Sequence, residues 1–447
     1  MAAMGGGGKE SGCGGGMAAQ AGRLGVVASV AFNIAALALF LRRRYFGDDA
    51  DEKKGETAAA VAPSSGKPPV TPDSVINLDH GDPTMYEAFW RGGAGERATI
   101  VIPGWQTMSY FSDVGSLCWF LEPGFEREVR RLHRLVGNAV ADGYHLLVGT
   151  GSTQLFQAAL YALSGGAAAG ANPIGVVSPA PYYSSYPAVT DFLKSGLYRW
   201  AGDAKVFDGE NYIELVCSPN NPDGGVRTAV VNSGGGGFVV HDLAYYWPQY
   251  TPITEAAAHD VMLFTVSKCT GHAGTRLGWA LVRERAVAQK MSKFIELNTI
   301  GVSKDSQLRA AKIIKTITDG YEHAPVAAAV AGGDDDSGRL FHFARRQMVS
   351  RWGKLRAAVA NSGIFTLPDE IPGHCTFANE TVAAYPPFAW LHCEKEGVDD
   401  LEGYLRERKI ICRGGAKFGV GGRFVRISML DTDEAFAIFV DRLAAMK

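Results

Sequence analysis

The chain has no surplus of charge of either sign. Its 44 basic side chains face 46 acidic ones, for a formal net charge of −2, and the body of the sequence holds no long basic block. That removes the electrostatic footprint by which proteins hold nucleic acid. Paired cysteines are missing too. The seven that exist, Cys13, Cys118, Cys217, Cys269, Cys375, Cys393 and Cys412, are scattered, odd in number and never in C-x-x-C spacing. A disulfide framework and a zinc site are thereby excluded, and the thiols read as those of a reduced, cytosol-facing protein. No internal repeat is visible.

What is present is length and apolar content: 447 residues, 47% of them hydrophobic, enough for a sizeable core and two lobes. Residues 1–23 are Gly/Ala-rich and cannot bury enough apolar surface to offset ordering entropy. Leu24 to Leu41 is uncharged and followed at once by Arg42, Arg43 and Arg44. Eighteen residues is at the short end of a bilayer span, and basic residues behind it hold the downstream side in the cytosol. A membrane anchor is expected, in the endoplasmic reticulum, with a signal or transit peptide as the alternative; a signal peptide wants its positive charge in front of the apolar run. Residues 42–73, with Pro63, Pro68, Pro69 and Pro72, read as a tether.

From residue 74 onward, short β-branched and aromatic runs alternate with helical patterns, which predicts an α/β body with a largely parallel sheet. Two low-complexity stretches, Asn232 to Gly237 and Ala327 to Gly338, read as insertions.

Within the body, Val261 to Val266 reads as a buried strand that delivers Ser267 and Lys268 to a Gly-rich turn, with a second apolar strand from Arg276 to Val282. A lysine held at a strand end loses hydration, and its neutral amine becomes available as a nucleophile toward a carbonyl. Leu146 to Gln154 is a strand running through glycines into a helix start, where free N–H groups make an anion cradle at Gly151, Ser152 and Thr153; an ordinary Ser/Thr helix cap reads the same way. Ile174 to Tyr183 ends a strand in proline and two tyrosines. Tyr212 to Gly224 carries N-P-x-G, common turn chemistry by itself, and Phe238 to Tyr245 carries D-x-x-Y. Arg426 sits in the strand-like run Gly422 to Leu430, with Arg423 and Arg413 nearby.

The spacing S-K-x-x-G-x-x-x-x-R-x-G resembles the lysine motif of fold-type I pyridoxal-phosphate (PLP) aminotransferases, and the other elements follow in that family's order from about residue 75 to 447. The resemblance implies a large domain with a mostly parallel sheet (about 121–325) and a smaller α/β domain (about 74–120 plus 326–447). It also implies a role for each residue. Lys268 carries the cofactor, with Ser267 beside it, while Arg276 and the Gly151, Ser152 and Thr153 cup grip the phosphate. Tyr183, with Tyr182 adjacent, lies over the pyridine ring. Asn221 and Tyr245 bond the phenolic oxygen, and Asp242 keeps the ring nitrogen protonated. Arg426 binds the substrate α-carboxylate, and Tyr110 crosses a homodimer interface to the partner's phosphate.

The stretches Asn77 to Glu87, Val148 to Leu155 and Val266 to Trp279 resemble the plant alliinase-like group, which includes tryptophan aminotransferase-related proteins and carbon–sulfur lyases. Two reactions are implied: transamination of L-tryptophan with an oxo acid (pyruvate or 2-oxoglutarate) to indole-3-pyruvate in auxin synthesis, or β-elimination from an S-alkyl-cysteine sulfoxide. A non-catalytic, membrane-tethered scaffold is the alternative from another class.

Overall fold

The computed structural model describes residues 69–165, 172–231, 236–322 and 338–447. The Gly-rich start, the anchor expected at Leu24 to Leu41 and nearly all of the tether lie outside the described residues, as does most of both insertions. Among the described residues no helix is long and apolar enough to cross a membrane.

Seven strands form the large sheet: β1 (His145–Gly149), β2 (Ile174–Ser178), β3 (Tyr198–Asp203), β4 (Tyr212–Cys217), β5 (Phe238–Asp242), β6 (Val261–Thr265) and β7 (Gly278–Val282), in spatial order β1-β7-β6-β5-β4-β2-β3. Every residue of β4, β6 and β7 is buried, as their near-continuous apolar runs require of strands covered on both faces. The run from β2 to β6 pairs in parallel, as expected from sequence. β7 is the exception and runs antiparallel to both β1 and β6. The reason is its short connection: residues 266–277 hold only a turn of helix and a 3₁₀ turn, whereas a parallel neighbour needs a full crossover.

Helices cover this sheet. Among them α1 (Pro123–Val136) packs on α4 (Lys304–Glu322), and α2 (Gly151–Leu163) packs on α3 (Arg285–Thr299). A second, antiparallel sheet contains β8 (Phe365–Thr366), β9 (Phe388–Cys393), β10 (Arg413–Gly414) and β11 (Phe424–Ser428) in order β10-β11-β9-β8. Behind it α5 (Leu340–Ser362) packs on α6 (Asp433–Ala444). Ile76–Asn77 pairs in parallel with Ile410–Ile411, so the segment at the start of the body belongs with the C-terminal sheet.

Register decides what meets at the edge of the large sheet. Cys217 pairs with Asp242, Asp242 with Leu263, Thr265 with Gly278, and Gly278 with Gly149. The loops that follow β1, β2, β4, β5 and β6 therefore open on one side, the carboxyl edge where open α/β sheets bind ligands.

Candidate active site

At that edge a cavity of about 650 Å³, its mouth included, is lined by Ser152, Thr153, Tyr183, Cys217, Asn221, Asp242, Ala244, Tyr245, Thr265, Ser267, Lys268, Ala273 and Arg276. Residues from five separate loops converge on it.

One end is built for an anion. α2 starts at Gly151 (φ +76°), and the preceding Thr150 makes no side-chain cap bond. Instead Gln154 reaches back, its Oε1 accepting the Thr150 N–H at 2.7 Å, which leaves the first-turn N–H groups aimed outward with the helix dipole behind them. Arg276 has left-handed backbone geometry (φ 52°) and lays its guanidinium against this turn. A Cβ on Gly151 would lie 2.7 Å from Arg276 Nη2, and one on Gly278 would lie 2.8 Å from the Ser152 nitrogen. Glycine at both positions lets backbone, β7 and guanidinium close around one small space.

The opposite end holds a half-buried carboxylate. Asp242, the last residue of β5, accepts the Tyr186 hydroxyl on Oδ2 at 3.0 Å and the Ala244 N–H on Oδ1 at 3.2 Å. Among the described residues no cationic side chain stands within ion-pair distance of it. Burial pushes its pKa up, against those two hydrogen bonds. Above it stand Tyr183 and the pair Asn221–Tyr245, whose Nδ2 donates to the phenol oxygen at 3.3 Å. Tyr182 points away, edge-on to Trp200 at 4.9 Å.

Between the two ends is Lys268, in the single helical turn (Val266–Cys269) after β6. Its carbonyl oxygen is held by Tyr250 Oη at 3.2 Å and Gln249 Nε2 at 3.3 Å, and its Nζ donates to the Gly81 carbonyl. Burial pulls the amine down to about 8, the nearby Arg426 and Arg276 charges push the same way, and Asp82 opposes them.

Arg426, on β11, is 2% exposed. Nη1 donates to Asn221 Oδ1 at 3.1 Å, Nη2 donates to the Asp79 carbonyl, and the Phe388 ring lies 4.2 Å from the guanidinium carbon. Nε is buried without a partner. Burial and the facing Arg413 pull its pKa down to about 10. Arg413 itself is committed to a bidentate pair with Asp79 at 2.6 and 3.0 Å, and Arg423 to the Cys393 and Lys395 carbonyls. Of the three arginines only Arg426 keeps buried donor capacity near the lysine.

Nine of the residues singled out from sequence, Ser152, Thr153, Tyr183, Asn221, Asp242, Tyr245, Ser267, Lys268 and Arg276, thus stand on one cavity wall. Gly151 lies beneath Arg276, and Arg426 stands behind Asn221. Tyr110 is elsewhere, on a surface loop and 69% exposed. Sequence reading passed over Tyr186, Asp79, Gly81 and Phe388. Asp79 and Gly81 lie inside the stretch Asn77 to Glu87, whose only local signal was its likeness to a family.

The Allinase family profile matches residues 76–447. Tryptophan aminotransferase-related protein 1 of Oryza sativa subsp. japonica is 84% identical over 431 residues, covering 96% of each chain. Tryptophan aminotransferase-related protein 2 of Arabidopsis thaliana is 53% identical, over 83% of this chain and 82% of that one. The chain belongs to the alliinase family. An alliin lyase of Allium cepa var. aggregatum is also similar, at 33% identity over 80% of this chain and 78% of its own. Solved aminotransferases share the fold: a probable N-succinyldiaminopimelate aminotransferase of Thermus thermophilus (TM-score 0.58, 21% identity, 83% of this chain and 94% of that one) and an aminotransferase of Staphylococcus aureus (0.57, 19%, 86% and 97%).

Family and fold imply pyridoxal phosphate, and the cavity fits it. The uncapped helix start and Arg276 suit a phosphate. Asp242, half-buried and without a cation within ion-pair distance among the described residues, suits a protonated pyridine nitrogen, while Lys268 lies between the two. One consequence is measurable. Only the neutral amine attacks an aldehyde, so uptake of pyridoxal phosphate by the cofactor-free chain should quicken about tenfold per pH unit and level off above about 8. A rate still climbing toward 10.5, the ordinary lysine value, would show that Lys268 is not desolvated as described.

Proposed function

We propose that this chain is a pyridoxal-phosphate aminotransferase that takes the amino group of L-tryptophan, releases indole-3-pyruvate and passes the nitrogen to an oxo acid such as pyruvate or 2-oxoglutarate, feeding auxin synthesis. The observation that carries the reading is the placement of Lys268 Nζ, its pKa drawn down to about 8, between an anion cradle, a half-buried carboxylate and a buried arginine. The cofactor, when bound, supplies an electron sink for bonds at the substrate Cα. This chain's residues do the rest. Arg426 binds the α-carboxylate through the donor capacity it keeps buried, and Asn221 Oδ1 fixes the guanidinium plane. Lys268, neutral in part near pH 8, would take the Cα proton at Nζ and return it on the cofactor's side of the substrate nitrogen. Asp242 supplies the negative charge that keeps the ring nitrogen protonated. Phe388 at 4.2 Å and Phe418 at 5.5 Å from the guanidinium carbon are buried against Arg426 and help hold it in place. The choice of L-tryptophan is supported by the names of the two plant aminotransferase-related proteins quoted above.

The alliin lyases among its relatives support a second reading, carbon–sulfur lyase activity, which uses the same proton removal and differs in the bond that breaks next. Purified protein given L-tryptophan and pyruvate should form indole-3-pyruvate. Pyruvate release from an S-alkyl-cysteine sulfoxide, with no turnover of tryptophan, would establish the lyase instead, and neither product would leave only a scaffold.

The same reading includes a homodimer. Val101, Trp105, Met108, Tyr110, Phe111 and Val114 expose between 55% and 86% of their surface along one stretch, an apolar run that monomers seldom leave open. A second copy covering it would bring Tyr110 toward the partner's cavity. Sedimentation should return twice the 47.7 kDa chain mass, and Trp105→Glu with Met108→Glu should yield monomers of low activity. Fully active monomers would rule out a shared site.

A further inference from the structure

We infer that Tyr186 is a positioning residue for the reaction: its buried hydroxyl fixes Asp242, and so sets how firmly the ring nitrogen of the cofactor is held. The inference rests on the pyridoxal-phosphate reading and extends it to a side chain that does not touch the cavity.

Tyr186 opens the short helix Tyr186–Phe192, and its N–H donates to the Tyr183 carbonyl at 3.0 Å. The two tyrosines thus share one turn. Tyr183 stands on the cavity wall, while Tyr186 passes beneath and reaches Asp242 Oδ2 at 3.0 Å. The Tyr186 ring is wedged 5.4 Å from Phe156 and 5.3 Å, edge-on, from Tyr183. Little freedom remains for the hydroxyl. With the Ala244 N–H on Oδ1, both carboxylate oxygens are pinned and the plane of the group is set, with lone pairs left over for a partner in the cavity.

The donor role is settled by electrostatics. Burial, then the Asp242 charge, keep the phenol far above its ordinary value, so it stays protonated and can only donate to an ionised neighbour. Asp242 is raised by burial, and the Tyr186 bond is what opposes that rise first. The other titratable groups that face it are Tyr183, Cys217 and Tyr245, with Lys268 and Arg276 across the cavity. Burial holds Tyr245 and Cys217 well above their ordinary values, so in the acid range this phenol is the tunable support of the carboxylate.

The sign follows. Without the hydroxyl, Asp242 gives up its proton only at higher pH, and affinity for a protonated pyridine falls where the carboxyl is still neutral. Tyr186→Phe keeps the ring and its packing. It should weaken pyridoxal-phosphate binding most at the acid end of the range and move the acid limb of the affinity–pH profile up by about one to two pH units, measured by equilibrium dialysis from pH 5 to 8. In an Asp242→Asn background the same change should have no further effect, because the carboxylate it acts on is gone. Phe156→Leu, which loosens the ring but leaves the bond, should lower thermal stability without moving the limb. Two results would overturn the inference: an unshifted limb in Tyr186→Phe, or an equal loss with and without Asp242. A wild-type chain that binds no pyridoxal phosphate would overturn the cofactor reading itself, and this inference with it.

Discussion

The desolvation of one amine is the constraint around which the site is arranged. Lys268 is carried on the turn that closes β6, a strand buried along its whole length, so its ammonium form loses part of its water shell. Two arginines add like charge, and Nζ donates to the Gly81 carbonyl. Asp82 favours the ammonium form without outweighing burial and the two arginines, and a carboxylate bonded to Nζ itself would restore that form and remove the nucleophile. Asp242 instead stands at the far end of the cavity, held by Tyr186 and Ala244. Lys268 and Asp242 are thereby kept apart, each left with unspent capacity.

Both lobes share the work. The large sheet contributes Lys268, Asp242, Asn221 and the helix start, because its register brings the ends of β1, β4, β5 and β6 to one edge. The small sheet contributes Arg426, placed opposite Trp390 and Arg413 by strand pairing. The segment from Asn77 to Tyr86 joins them: Asp79 binds both arginines, Gly81 binds the lysine, and Tyr86 bonds Tyr250, which in turn holds the Lys268 carbonyl. Asn221 couples the halves from the other side, with its amide nitrogen on Tyr245 and its oxygen on Arg426.

Residues at strand ends were legible because an apolar run followed by glycine, proline or a polar cluster marks both the strand and the turn that presents them. Lys268, Asp242, Asn221 and the Gly151 turn are of this kind. Sequence left three questions open that contacts answered. Tyr182 and Tyr183 are neighbours of one type, and only packing against Trp200 removes the first from the cavity. Arg413, Arg423 and Arg426 differ in what already occupies them, which depends on strand pairing across the sheet. The antiparallel β7 follows from a short loop whose length could be counted but whose closure had to be seen. Tyr186, Asp79 and Gly81 were illegible for a different reason. Each acts through a partner 56 to 347 positions away, so no local spacing announces it.

The central claim is that Lys268, among all the lysines of the chain, is the one that carries the cofactor. Reduction of the cofactor-loaded protein with borohydride, followed by peptide mapping, tests it directly. The account predicts loss of the visible absorbance and a single pyridoxyl label on Lys268. A label on another lysine, or none at all, would contradict it.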